Sequence, residues 1–97
     1  MTVPNTKVAQ NLAKGLVREK LAACVNVIAN ITSHYYWNNK LQKDQEILLV
    51  IKTQMKFFKK LAGFIKKNHS YKVPEIISLP ILQGDKAYLG WIKANTR

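Results

Sequence analysis

Only one cysteine, four glycines, three prolines and five acidic residues occur in this 97-residue chain, and each scarcity narrows what it can be. A lone thiol, Cys24, can neither close an internal disulfide nor complete a four-ligand metal site. A disulfide scaffold and a zinc ribbon are therefore excluded, and a reducing compartment is expected. The longest apolar run, Ile47 to Ile51, is far shorter than the roughly 20 residues that cross a bilayer as a helix, so no membrane span is expected. Met1-Thr2-Val3-Pro4-Asn5 has neither the charged segment nor the apolar core of a signal peptide, which makes the cytoplasm the expected location, although a targeting segment removed upstream would leave no trace. The glycines stand singly, at Gly15, Gly63, Gly84 and Gly90, and neither HExxH nor CxxC spacing occurs. Phosphate loops and zincin-type metalloprotease chemistry drop out.

What the chain has in excess is positive charge. Sixteen Lys and Arg face five Asp and Glu, a formal charge of +11, and the length suits a single domain over residues 1–97. Such a field attracts polyanions: nucleic acid, an anionic membrane or an acidic protein. Fourteen of the sixteen cations are Lys rather than Arg, whose planar fork dominates phosphate and base recognition, and lysines on solvated faces are the simpler reading.

Periodicity orders the chain as helix, strand, strand, helix, strand, helix. Asn5 or Thr6 caps a helix whose apolar positions Val8, Leu12 and Leu16 fall at i, i+4 and i+8, and which should end near Glu19 or Lys20. Ala22 to Ile28 is almost continuously apolar, as in a strand covered on both faces, and Asn30 should break or bend it. Ile31 to Trp37, the turn Asn38-Asn39-Lys40, and Ile47 to Ile51 read as a β-hairpin. Phe57, Leu61, Phe64 and Ile65 form a helical stripe with lysines opposite. Pro74 bars helix from the next segment, so Glu75 to Ile81 reads as a strand, with Pro80 marking an edge or bulge. Gly84-Asp85 then turns and caps a short helix around Tyr88 to Ile92. With Met1 to Val3 as an abbreviated first strand, this order is the βαββαβ unit of a ferredoxin-like α+β sandwich with an extra C-terminal helix, its first strand truncated. In that order the first strand lies centrally, between Ile47 to Ile51 and Glu75 to Ile81.

Few residues could carry chemistry. Cys24 with His34 or His69 is formally a nucleophilic dyad, but a cysteine in an apolar strand is usually a packed small hydrophobe. His69, Tyr71 and Glu75 gather an imidazole, a phenol and a carboxylate in one short loop. Functionally, His69 could ligate a metal or shuttle a proton with Glu75 orienting it; structurally, it could cap the helix while Tyr71 packs and Glu75 pairs with a lysine. His34-Tyr35-Tyr36-Trp37 is either a stacking platform or an interface patch, the latter being the commoner use of a strand. The sequons at Asn30 and Asn68 are matches of the kind that arise by chance in a chain without an export signal.

Several segments together resemble the CutA family of divalent cation tolerance proteins. They are Val3-Pro4-Asn5, Lys20 to Asn26, Tyr36-Trp37 before a charged hairpin, Ile51-Lys52-Thr53, His69-Ser70-Tyr71 with Val73 to Ile77, and Tyr88 to Ile92. The resemblance implies a ferredoxin-like subunit in a tight homotrimer similar to the PII signalling proteins, with clefts between subunits, a link to copper and other divalent cations, and no enzymatic reaction. It also implies a ligand cleft of Cys24, Lys52, Tyr71 and Glu75, with His69 as the metal ligand. The copper-site cysteine and first histidine of bacterial relatives fall here on Met1 and Asn68, so only His69 matches and binding through it should be weak. The other class of function weighed is a basic nucleic-acid-binding ferredoxin-like domain. An RRM-type sheet, however, needs stacking rings on a central strand, where Ile47 to Ile51 is wholly aliphatic, and nucleic acid is therefore not the expected partner.

Overall fold

The computed structural model describes residues 1–69 and 71–97. Its elements run β1 (Thr2–Val3), α1 (Thr6–Arg18), β2 (Cys24–Trp37), β3 (Lys40–Lys52), a single 3-10 turn (Met55–Phe57), α2 (Phe58–Asn68) and α3 (Lys86–Ala94). The three strands form an antiparallel sheet in the order β1-β3-β2, with α1 and α2 packed against it. The architecture is the ferredoxin-like α+β sandwich with split β-α units and the additional C-terminal helix.

Local chemistry explains the element boundaries. Asn5 is the N-cap of α1, its side chain accepting the Val8 amide at 2.9 Å, and Asp85 does the same for α3 through the Tyr88 amide at 3.0 Å. The stripe Ala9, Leu12 and Leu16 is buried beneath α1; Leu61 and Ile65 are buried beneath α2. These side chains close on Val3, Ile47 and Leu49 from the sheet, and the three together make the core. The helices cross at Gly15, where an added Cβ would lie 2.5 Å from Phe64 Cζ, so only glycine admits the ring at its present depth. The C-terminus is stitched back onto the end of α1: the Arg97 amide donates to the Lys20 carbonyl at 3.0 Å, and Gln54 reaches the buried Thr96 hydroxyl at 2.6 Å.

The hairpin is longer than the sequence pattern suggests. Asn38 and Asn39 adopt φ of 54° and 60°, the left-handed pair that lets two residues join strands with matched twist, and Trp37 faces Lys40 directly. From there the ladder runs unbroken through Leu41 to Glu46, which the periodicity left unassigned because this arm is polar and largely exposed. Asn30 bends β2 without ending it: at φ 63° it sits within a register shift between Ile28 and Ile31. Nor is β2 covered on both faces, since Val27 and Ile28 are 37% and 45% exposed.

The expected strand over Glu75 to Ile81 is the principal correction. Among the described residues, no regular element lies between Asn68 and Lys86. The physical reason is the neighbour available to it. β1 spans only Thr2–Val3, and Pro74 and Pro80 each remove a backbone donor, so a ladder on that side has too few rungs to form. Accordingly β1 lies at the edge of the sheet rather than between two strands, paired through Thr2 with Leu48 and Val3 with Ile47. Ile76 still packs on the core, while Ile77, Leu79 and Ile81 are 71%, 87% and 57% exposed.

Candidate functional site

The loop after α2 folds against the outer edge of β1, and His69 fastens it. The His69 Nε2 lies 3.2 Å from the Thr2 carbonyl oxygen, and the Tyr71 backbone amide donates to His69 Nδ1 at 2.9 Å. A carbonyl only accepts and an amide N–H only donates, so the network assigns the proton to Nε2 and the lone pair to Nδ1. Both ring nitrogens are thereby engaged in holding the chain. The His69 and Tyr71 rings lie 4.6 Å apart at a 53° tilt, which turns the phenol toward β3.

There the Tyr71 hydroxyl donates to Glu46 Oε2 at 2.6 Å. Glu46 is 8% exposed, the one acidic side chain buried among the described residues. Burial first, and then the bond and the charge of Glu46, hold the Tyr71 hydroxyl well above its ordinary pKa of 10.0. It therefore remains a donor throughout the physiological range. Glu75 is exposed at the same edge, where its carboxylate acts on the Met1 amino group. Burial lowers that amine below its ordinary 8.0 while Glu75 opposes the shift, and the amine donates to the Leu49 carbonyl at 3.0 Å.

Three of the five residues singled out in the sequence, His69, Tyr71 and Glu75, thus share one sheet edge. The other two face each other elsewhere. Cys24 and Lys52 are register partners at the open end of the hairpin, both half-buried. Lys52 stands three positions past Leu49, about 10 Å along β3. Glu46 was not singled out from sequence. Its only signal there is an acid immediately before an apolar run, and its partner Tyr71 lies 25 residues away.

The imidazole does not present a vacant ligand atom, because the Nδ1 lone pair is used by Tyr71. Among the described residues, no group of three or more His, Cys, Asp or Glu side chains could enclose a metal ion. Within this chain, then, the described residues do not fit a resident metal.

A short-edged ferredoxin-like sheet, a long two-residue-turn hairpin and a His-Tyr loop latched to a buried strand glutamate define a class of small α+β proteins. The chain belongs to the CutA1 divalent ion tolerance protein family, whose profile matches residues 1–95. It is 48% identical over 96 residues to the divalent-cation tolerance protein CutA of Thermus thermophilus, covering 99% of this chain and 93% of that protein. The solved structure of the Thermus protein superposes with a TM-score of 0.96, covering 99% of this chain and 93% of that one. Protein CutA, chloroplastic, of Arabidopsis thaliana is 47% identical over 97 residues, all of this chain, which spans only 53% of that longer protein. The chain likewise spans about half the length of the human relative, 54%, to which it is 45% identical over 96 residues.

Proposed function

We propose that this protein is a non-enzymatic homotrimer of the divalent-cation-tolerance type, in which clefts between subunits take a small ligand or a divalent cation such as copper. The observation that carries the assembly is the apolar surface one subunit leaves bare. Ile77, Leu79 and Ile81 are exposed on a segment without strand partners among the described residues, and Tyr36 and Leu41 at the hairpin end are 73% and 68% exposed. Exposed apolar side chains and unpaired strand edges of this kind are what a closed cyclic assembly covers. Membership of the CutA1 family supports the cation role.

Cation binding at His69 is weak in this reading, because a metal at Nδ1 must displace the Tyr71 amide. Copper is then an ion the protein meets, not a group built into it. The nucleic-acid reading through the sheet gains no support: β3 from Ile47 to Ile51 offers no ring for base stacking.

Light scattering at moderate salt tests the assembly and should return about three times the 11.1 kDa of one chain. A monomer persisting at micromolar concentration would overturn it. Calorimetric titration of copper into the wild type and His69→Ala tests the site. Tight, stoichiometric binding unaffected by the substitution would place the metal elsewhere.

A further inference from the structure

The surplus charge is arranged in rows. On α1, Lys7, Lys14 and Arg18 recur at i, i+7 and i+11. On α2, the pairs Lys59-Lys60 and Lys66-Lys67 stand one heptad apart. All seven are exposed, and at 100° per residue each row points away from the buried stripes Leu12–Leu16 and Leu61–Ile65. Neither helix contains an acidic residue, and Glu19, just past α1, is paired with Arg97 at 3.6 Å. The helices touch where Phe64 approaches Gly15, which sets their axes about 8–10 Å apart. The rows are about 12–16 Å long. Together they form a uniformly cationic face on the outside of the helix layer.

Three features of that face select its partner. The first is its lack of exposed aromatic side chains, which single-stranded nucleic acid uses for stacking: Phe58 and Phe64 of α2 are half-buried, Phe64 against Gly15, while Tyr36 and Trp37 lie on the hairpin and Tyr88 and Trp91 on α3. The second is lysine: only Arg18 offers the guanidinium fork that reads duplex phosphates and bases. The third is Gly63, which stands between the two lysine pairs of α2 where an added Cβ would touch nothing within 4 Å. The space there is open, and no packing demands a glycine. Point charges on flexible stems, spread over a plane with a gap at its centre, suit an array of mobile anionic headgroups that needs no fixed register.

We propose that the outer face of the α1–α2 layer is a docking surface for membranes rich in acidic lipids, which the protein meets peripherally through electrostatics. Among the described residues, no helix is long and apolar enough to cross a membrane, and this mode of contact requires none. It is independent of the cleft and of any metal.

Cosedimentation with vesicles tests it. The wild type should bind phosphatidylcholine vesicles containing about 30% phosphatidylserine at about 0.1 M salt, ignore pure phosphatidylcholine, and be released near about 0.5 M salt. Lys59→Gln, Lys60→Gln, Lys66→Gln and Lys67→Gln combined should weaken binding by at least about tenfold. A control losing the same charge elsewhere, at Lys40, Lys43, Lys86 and Lys93, all exposed, should stay within about threefold of wild type. Circular dichroism and light scattering confirm that both variants keep fold and assembly. Equal losses in the two quartets would reduce the effect to net charge and overturn the proposal, as would failure of the wild type to bind acidic vesicles. Duplex DNA that strips the protein from vesicles at equal phosphate concentration would assign the face to nucleic acid instead.

Discussion

The Tyr71 hydroxyl reaches Glu46 across 2.6 Å, and this one bond ties the loop after α2 to the strand that places Ile47 and Leu49 in the core. Among the described residues, few other side-chain hydrogen bonds cross from that loop to the sheet. Its neighbour, the His69 imidazole, secures the same loop to Thr2.

Tyr71→Phe should therefore destabilise the protein by about 1–3 kcal/mol, because it strands a buried carboxylate without its donor. Glu46→Gln, which retains an acceptor oxygen, should cost less. The pH dependence derives from the raised pKa of Tyr71. The folded state keeps a proton that the unfolded state releases above 10.0, so the stabilisation is fully present below that value and is lost as pH rises beyond it. Tyr35, whose hydroxyl is bonded to Asp44, is raised in the same direction, so Tyr35→Phe is the needed reference. Urea midpoints at fixed protein concentration from about pH 8 to 11 should fall less steeply in Tyr71→Phe than in Tyr35→Phe or wild type. Parallel curves would show that the bond contributes nothing to folding.

Two helical glycines should respond oppositely to alanine. Gly63→Ala places a methyl in open space and should raise stability by about 0.5–1 kcal/mol through helix propensity alone. Gly15→Ala meets the Phe64 ring at 2.5 Å and forces the helices apart, an overpacking cost of about 1–3 kcal/mol that exceeds the same propensity gain. Thermal melts decide, and a Gly15→Ala protein melting above wild type would show that the ring moves aside freely.

The hairpin turn gives a third expectation. Asn39 holds φ 60°, where a Cβ without a short polar side chain costs about 1–2 kcal/mol. Asn39→Gly should be neutral or stabilising and Asn39→Ala destabilising by about 1 kcal/mol. Equal melting temperatures for the two variants would refute the assignment of the turn.

Beyond Leu49, the edge of β3 that carries β1 has no strand partner among the described residues, since β1 is spent at Met1. Placing Val-Ile-Val-Val-Tyr before Thr2 should extend the ladder along Val50 to Lys52, give the Glu75 to Ile81 segment a neighbour to pair with, and raise the melting temperature with assembly unchanged. A variant that melts no higher would mean that this edge is already satisfied.

Much of the fold was legible because local chemistry and tertiary environment agree. Val8, Leu12 and Leu16 sit at helical spacing behind an Asn cap, and Asn38-Asn39 can hold left-handed φ, so neither depends on distant residues for its reading. Pattern and structure part where the environment overrides local preference. Glu75 to Ile81 is β-prone by composition, yet a strand needs a partner and β1 ends too soon to supply one. Leu41 to Glu46 shows no hydrophobic alternation but is drawn into the ladder by the turn beside it. The candidate site was half visible: the loop residues His69 and Tyr71 stood out as chemistry, whereas Glu46 acquires meaning only when Tyr71 arrives from 25 residues away.

The two-residue turn also orders events in time. Its ladder pairs residues close in the chain, starting at Trp37 and Lys40, so it can zip outward from Asn38-Asn39 at little loop-closure cost. The seams that fix the chain ends are remote: Met1 reaches Leu49 over 48 positions, and Arg97 reaches Glu19 over 78. The hairpin is thus expected to nucleate folding, while β1 and the C-terminal stitch close last. By the same logic these seams are the first to open in the native state, exposing the edge against which His69 holds its loop.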